Sequence, residues 1–452
     1  MSARVSRRRL LTTAGATLVA VGGATTMART PALAIPPGFD KVLYWHRILL
    51  GAYRAAVGNP AAAPTLLSRA GAMMHLAIYD AYNSMATIGA PYLGRYSRIG
   101  NYSYDLGQNV NWAAYRVLQS VFPTMNFNQA LSDSNSYPPI GEPGPEGWST
   151  SIGEAAAAAM LSNRTGDGST NTTPYTPSTA PGQWRPTGSG DAGTPNWGLV
   201  RPFSLTSGSQ FRPPLPGGFA NATAMLQSAT YKAQFDEVRD LGRDVSTTRT
   251  PEQTNIAFFW ANDLDGTYKP PGQLFYHTAQ VSSARRLTEA QNAKLFALVA
   301  IAMADAGIAS WDAKYQTSID LWRPESGIRE AAGDGNPNTT PITDWKPLSV
   351  QRDGVTRFSP NFPAYVSGHA TFGAAWAGIM RRYFNSDSMP EVLATEDPHA
   401  VGVTRAPGTF TAAARENARS RIYLGVHWQW DADQGYNTGE AIANQVFNSK
   451  LR

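Results

Sequence analysis

The chain has 452 residues, with 38 Lys and Arg against 33 Asp and Glu and no cysteine. That length allows one large domain or two packed halves, and the missing thiols exclude disulfides, thiolate ligands and cysteine nucleophiles. The formal charge of +5 is accounted for by residues 1–34, which hold five Arg and no Asp, Glu or Lys, so the near-neutral remainder gives no support for a nucleic-acid partner.

Those first residues read as an address. Ser6-Arg7-Arg8-Arg9-Leu10-Leu11 precedes an Ala/Gly/Val-rich run to Ala24, and Ala32-Leu33-Ala34 offers a small-x-small cleavage site. This is the grammar of a twin-arginine export signal, with a run too short and Gly-broken for a membrane span. The expected mature chain, 35–452, is a single helical unit without a membrane span. It lies outside the cytoplasm, extracellular or in the periplasm or cell envelope, and has an N-terminal half over about 39–220 and a C-terminal half over about 222–452.

Apolar spacing predicts helices over 39–58, 65–86, 110–122 and 153–162. His46 and His75 fall inside such helices with no second ligand at i+3 or i+4, which favours packed or hydrogen-bonded rings over a metal site. Residues 164–218 are rich in Gly, Pro, Ser and Thr, with Trp184, Arg185, Trp197 and Arg201 among them. So long a loop reads as an ordered excursion that lines the approach to a site; a flexible linker is the alternative. Helical patterns resume over 222–243 and 251–262, the second opened by Thr250-Pro-Glu-Gln253, a capping-box start with Pro at the first helical position. Further helices are expected over 288–311, from Ala370 to Met380, over 410–423 and over 439–450. The turn Asn262-Asp263-Leu264-Asp265-Gly266 could supply acids to a site. No Val/Ile-rich alternation and no repeat appears, so the fold class is all-α.

The chemistry gathers in the last third. A Pro-punctuated segment ends at Ser367-Gly368-His369, where an apolar run begins. A loop feeding a helix start aims free N–H groups and the positive dipole end at an anion. Gly368 lets the anion approach the backbone, Ser367 can cap or donate, and His369 stands by as acid or base. Fifty-three residues after Ser367 comes Ser420-Arg421-x5-His427-x3-Asp431, and upstream lie Trp311-Asp-Ala-Lys314 and Trp322-Arg323-Pro324. Two Arg, a Lys, a Ser, a Gly N–H and two His make a donor set for a tetrahedral or trigonal-bipyramidal oxyanion.

The order Lys…Arg-Pro, Ser-Gly-His, Ser-Arg-x5-His-x3-Asp resembles the vanadium-dependent haloperoxidases and their phosphatidic-acid-phosphatase-like relatives. The flanking text (Asp305-Ala-Gly-Ile-Ala-Ser-Trp311, Arg323-Pro-Glu, Phe362-Pro-Ala-Tyr) looks more like the haloperoxidase branch. The resemblance implies two packed four-helix bundles with long ordered loops and vanadate as cofactor. It implies hydrogen peroxide, halide and an organic small molecule as substrates, and a hypohalous acid equivalent as product. His427 matches the family's metal ligand, which Asp431 orients from behind. Arg323, Arg421, Ser367 and Gly368 match the residues that hold the oxyanion, His369 the acid–base residue, and Lys314 the lysine that polarises bound peroxide. Trp311 and Phe362 resemble the halide-side residues of chlorinating members; two ordinary core aromatics are the alternative. Asp263 and Asp265 are candidate partners for the two arginines.

Two departures stand out. The family's lysine precedes the Arg of Arg-Pro by seven residues, whereas Lys314 precedes Arg323 by nine and Gln316 stands seven back. On an unbroken helix nine residues is about half a turn out of phase, so either a break absorbs two residues or Gln316 faces the site. The Trp311-x-x-Lys314 neighbourhood favours Lys314. Val366 also replaces the Pro usual before Ser-Gly-His. Three rival readings remain: an exported acid phosphatase working through a phosphohistidine at His427, a vanadate-free homologue, and a non-catalytic oxyanion-binding protein. Chloride or bromide preference, the organic substrate and self-association are left open.

Overall fold

The computed structural model describes residues 39–58, 60–136 and 147–452. The export signal read over residues 1–34 lies outside them. Among the described residues the chain forms fourteen α-helices and only four two-residue strands. β1 (Ser388–Met389) pairs with β4 (Gly408–Thr409) and β2 (Leu393–Ala394) with β3 (Thr404–Arg405), both antiparallel. The all-α expectation holds.

The first half is built from α1 (Lys41–Ala55), α2 (Pro64–Ala86), α3 (Leu106–Val121), α4 (Asn128–Asn135) and α5 (Ser151–Arg164). Here α2, α3 and α5 pack against one another, and α2 lies along α10 (Glu289–Tyr315). The second half folds around α12 (Gly368–Tyr383), which packs on α10, α13 (Phe410–Tyr423) and α14 (Gln429–Ser449). Both halves therefore share α10, whose residues from Leu295 to Lys314 are all buried. That explains why a helix long and apolar enough to cross a membrane sits in the middle of this fold.

Local chemistry starts the helices where the sequence signals it. Thr250 and Gln253 form a reciprocal capping box on α8 (Pro251–Ala261), and Thr288 with Gln291 does the same on α10. The pattern over 222–243 divides into α6 (Ala222–Leu226) and α7 (Ala229–Leu241), because Ser228 caps the second by accepting from Tyr231 N. Three helices are not foreseen in the sequence, the short α4 among them. α9 (Lys269–Ala284) opens on Pro270-Pro271-Gly272, which looks like a turn but costs nothing in a first turn that has no intrahelical N–H bonds to lose. α11 (Pro324–Arg329) is too short for a period to show.

The last helix starts ten residues earlier than its apolar pattern, at Gln429. Gly435 and Gly439 hide that stretch from a hydrophobic reading, and both serve the packing. A Cβ at Gly439 would come within 2.3 Å of the Thr371 carbonyl on α12, and one at Gly435 within 2.7 Å of the Ser367 carbonyl. α14 thus lies against the start of α12 and brings its own N-terminus to the Ser-Gly-His turn.

The 164–218 excursion is ordered, as expected, with three short 3-10 turns and buried Trp184 and Trp197. The Asp305 carboxylate on α10 accepts the N–H groups of Phe203, Ser204 and Leu205, at 2.7, 2.7 and 3.0 Å. Arg212 forks onto Asp312 at 2.7 and 2.9 Å. These two anchors hold the excursion along the long helix.

Candidate active site

The helix α10 stops at Tyr315, so the nine residues from Lys314 to Arg323 are not one helix and the phase argument against Lys314 falls away. Lys314 is fully buried and turns toward the segment that carries the Ser-Gly-His turn. Its Nζ donates to the carbonyls of Pro363, Ala364 and Val366 at 2.7, 3.1 and 2.6 Å. Burial, then Arg323, pushes this ammonium well below its ordinary range, while three carbonyl acceptors favour the charged form. Gln316 instead donates to Pro195 O at 3.3 Å, in the excursion. Of the two alternatives the structure selects Lys314, and gives it a loop to hold.

Ser367 caps α12, accepting from Ala370 N at 3.4 Å, and Gly368 is the first helical residue. A Cβ at Gly368 would sit 3.3 Å from the Trp311 ring, a tight fit. Trp311 and Phe362 pack together with ring centroids 4.8 Å apart. The Trp311 Nε1 donates to Gly193 O at 2.9 Å, so the excursion orients the ring. Nothing but Gly/Ser/Thr composition marked Gly193 in the sequence. Lys314 Nζ lies 5.1 Å and the Arg323 guanidinium carbon 4.8 Å from the Phe362 centroid, placing two cations against one ring.

His427 and Arg323 meet. Arg323 Nη1 donates to Val426 O at 2.7 Å and lies 3.0 Å from His427 Nε2, while its Nε donates to Phe362 O at 2.8 Å. A guanidinium can only donate, so His427 Nε2 carries the lone pair and Nδ1 the proton. That proton points at Asp431 Oδ2, 3.0 Å away, and the same oxygen accepts Trp428 N at 2.9 Å. Asp431 thus fixes the tautomer, as the i,i+4 spacing promised. Burial and the nearby Arg323, Lys314 and Arg421 charges press His427 well below its ordinary range, and burial raises Asp431 to about 7.

Arg421, 1 % exposed, donates through Nη2 to Asp263 Oδ2 at 2.7 Å. Asp263 is therefore the partner, while Asp265 pairs with Lys269 at 2.8 Å and is removed from the arginines' list. Burial alone would raise Asp263, but Arg421 and His369 hold it below its ordinary value. His369 Nε2 lies 3.0 Å from Ala261 O and 3.8 Å from Asp263 Oδ1, so Nε2 carries the proton and Nδ1 is the basic nitrogen. Burial, then Arg421, lowers His369 to about 4.

What the arginines leave unused is informative. Arg323 Nη2 and Arg421 Nε and Nη1 are buried without a hydrogen-bond partner. Leaving such charged donors unmade costs ~1–3 kcal/mol or more per group. Arg421, His427, His369, Gly368, Asp263 and Phe362 line one small pocket. Spare donors from two always-charged guanidinium groups and a helix N-terminus, beside an imidazole nitrogen that accepts from Arg323, fit a multiply charged oxyanion with an electrophilic centre. The residues present therefore suit vanadate, and they suit phosphate as well. No cluster of three or more His, Asp or Glu suited to a bare metal ion occurs among the described residues. His46 and His75 face each other at 3.2 Å, buried among Phe275 and Phe296, as packed rings.

Comparisons with known proteins point the same way. Residues 294–452 match the family model of the VCPO second helical-bundle domain. The chain is 28 % identical to the vanadium chloroperoxidase of Curvularia inaequalis, over 91 % of this chain and 82 % of that protein. A bacterial vanadium-dependent iodoperoxidase superposes with a TM-score of 0.71 at 21 % identity, covering 90 % of this chain and 95 % of that one. A holo-type bacterial vanadium-dependent chloroperoxidase does so at 0.65 and 19 %, covering 85 % and 91 %. These two structures show the fold. With the matched stretch spanning Lys314 to Asp431, the chain is a relative of the vanadium haloperoxidases, and its residues 294–452 are similar to the VCPO second helical-bundle domain.

Proposed function

We propose that this protein is a vanadate-dependent haloperoxidase, using hydrogen peroxide to oxidise halide to a hypohalous acid equivalent that halogenates an organic acceptor. The three unpartnered buried guanidinium nitrogens of Arg323 and Arg421 support an oxyanion there, and the likeness to the Curvularia inaequalis vanadium chloroperoxidase is the observation that favours vanadate over phosphate. Vanadate held there supplies a Lewis-acidic centre that activates peroxide for attack by halide. His427 Nε2 would be the ligand that holds the vanadium of bound vanadate. Arg323 Nη2 and Arg421 Nε and Nη1 bind the oxygens, with the Gly368 N–H and Ser367 at the helix start. Lys314 holds the turn that carries both. His369 Nδ1 takes the proton that hydrogen peroxide gives up and returns it to the departing oxygen. Trp311 and Phe362 form the apolar side of the pocket, where a poorly hydrated halide is at home.

Orthovanadate added to metal-free protein should confer halogenation of a phenol dye with peroxide and bromide, competed by phosphate and abolished in His427→Ala. Release of phosphate from an aryl phosphate, with no halogenation under any halide, would replace this reading by the phosphatase. Oxyanion binding that survives His427→Ala unchanged, with neither activity, would leave only an oxyanion-binding protein. Residues 1–34 are proposed to route the chain out of the cytoplasm, and Arg8→Lys with Arg9→Lys should retain it inside.

A further inference from the structure

Outside the oxyanion pocket lies a second cavity of about 610 Å³ that shares Asp263, Trp311, Phe362 and Pro360 with it. That volume is far beyond what a halide or peroxide needs and lies in the range of sites for small organic ligands. The excursion closes one side through Thr187, Gly193 and Thr194, and Phe358 adds an aromatic wall.

The charges around it are unevenly matched. Each acid in the lining has its partner: Asp263 pairs with Arg421 and Asp265 with Lys269. Glu325 pairs with Arg329 and accepts from Thr187 Oγ1 and Ser359 Oγ, at 2.8, 3.0 and 2.6 Å. Two cations in the same lining have none. Arg352 donates to Asp265 O and Arg357 to Leu348 O, each at 2.7 Å, and among the described residues no carboxylate lies within ion-pair distance of either. Glu396, within the electrostatic reach of Arg352, is already paired with Arg54. Arg357 sits beside another cation, Arg249, whose guanidinium is lowered by burial and then by Arg357. The cavity therefore offers aromatic walls and two guanidinium groups without a carboxylate partner, Arg352 exposed and Arg357 half-buried.

We propose that this cavity binds the organic halogen acceptor and selects an aromatic acid, its ring among Trp311, Phe358 and Phe362 and its carboxylate facing Arg352 and Arg357. The role in halogenation rests on the haloperoxidase reading; the binding does not. Hypohalous acid formed in the adjoining pocket meets a ring already in place. Its halogen forms the new carbon–halogen bond, the ring carbon–hydrogen bond breaks, and the proton leaves with the hydroxide as water.

Calorimetric titration of the full chain, without vanadate or peroxide, would compare 4-hydroxybenzoate with its methyl ester. The acid should bind about tenfold more tightly, as a charge-assisted pair warrants, and Arg352→Gln with Arg357→Gln should erase the preference. Equal affinities overturn the proposal. A preference that survives the double variant also overturns it, because the acid would then sit in the oxyanion pocket. With vanadate, peroxide and bromide, the ratio of acid to ester kcat/KM should fall about tenfold in the double variant. An equal fall for both acceptors would mean that the arginines steer halide, and overturns it. Absence of halogenation with every acceptor would sink the haloperoxidase reading and leave the binding preference as a separate, standing result.

Discussion

At the scale of single residues, the site depends on which atoms are obliged to donate. Asp431 presents one oxygen, Oδ2, to both Trp428 N and His427 Nδ1, while its Oδ1 is buried without a partner. Asparagine can place its carbonyl where Oδ2 stands and keep both bonds, with its amide at the Oδ1 position. The side chain it replaces is raised to about 7 and so is already half neutral at that pH. Asp431→Asn should therefore hold oxyanion affinity within about threefold. Asp431→Ala leaves the Trp428 N–H unmade and frees the imidazole to choose its tautomer, a loss of ~1–3 kcal/mol and hence about 5- to 150-fold in affinity. Vanadate titrations of the two variants check this, and an equal loss in both would mean that the carboxylate charge, rather than the accepting oxygen, positions His427.

At the scale of elements, much was legible because motif residues sit at helix ends, where capping and dipole rules apply. Ser367 caps α12, and the i,i+4 step from His427 to Asp431 spans the start of α14. The helices of strong period were read with boundaries near those seen, and Thr250 announced α8 outright. Less legible was whatever long-range contact decides. Nothing in the spacing told that the chain leaves α10 after Tyr315, which is what lets Lys314 rather than Gln316 turn inward. Nor could spacing choose Asp263 over Asp265, two residues apart in one turn, since the choice depends on where Arg421 arrives from α13. α9 was missed because its opening prolines carry the composition of a loop. The Lys314 contact also yields a prediction. Its three donors hold three carbonyls of the loop just before Ser367, so Lys314→Met leaves those carbonyls buried and unpaired. A loss of roughly 3 kcal/mol or more in urea unfolding is expected, together with weaker vanadate binding. Weaker turnover with unchanged unfolding and unchanged vanadate affinity would show that the lysine acts on peroxide alone.

Across the whole molecule, burial has acted on opposite kinds of acid and base in nearly equal number. Five of the six histidines are shifted downward, with burial the largest cause: His46 to about 3, His277 and His369 to about 4, His75 and His427 well below their ordinary value. Unfolding near pH 5.5 therefore takes up about five protons, and by itself this would remove ~7 kcal/mol of stability per pH unit on acidification. Burial has also raised Asp431 and Glu289 to about 7 and Asp305 and Asp320 to about 6. Those four carboxyls are mostly protonated in the fold at that pH and ionised in the unfolded chain, so unfolding releases nearly four protons. The difference is about one proton, and Asp40, Asp80 and Asp397, also raised by burial, narrow it further. Urea unfolding at pH 6 and pH 5, in buffer free of vanadate and phosphate, should then differ by no more than ~1.4 kcal/mol. Asp305→Asn tests the sign. It removes one released proton, so its stability should fall with acid more steeply than that of the parent by ~1 kcal/mol per pH unit, whatever it costs at pH 6 through the Phe203, Ser204 and Leu205 amides. A parent slope near five protons, or a variant slope equal to the parent's, would show that the buried carboxyls stay ionised and that the excursion is held to α10 by charge.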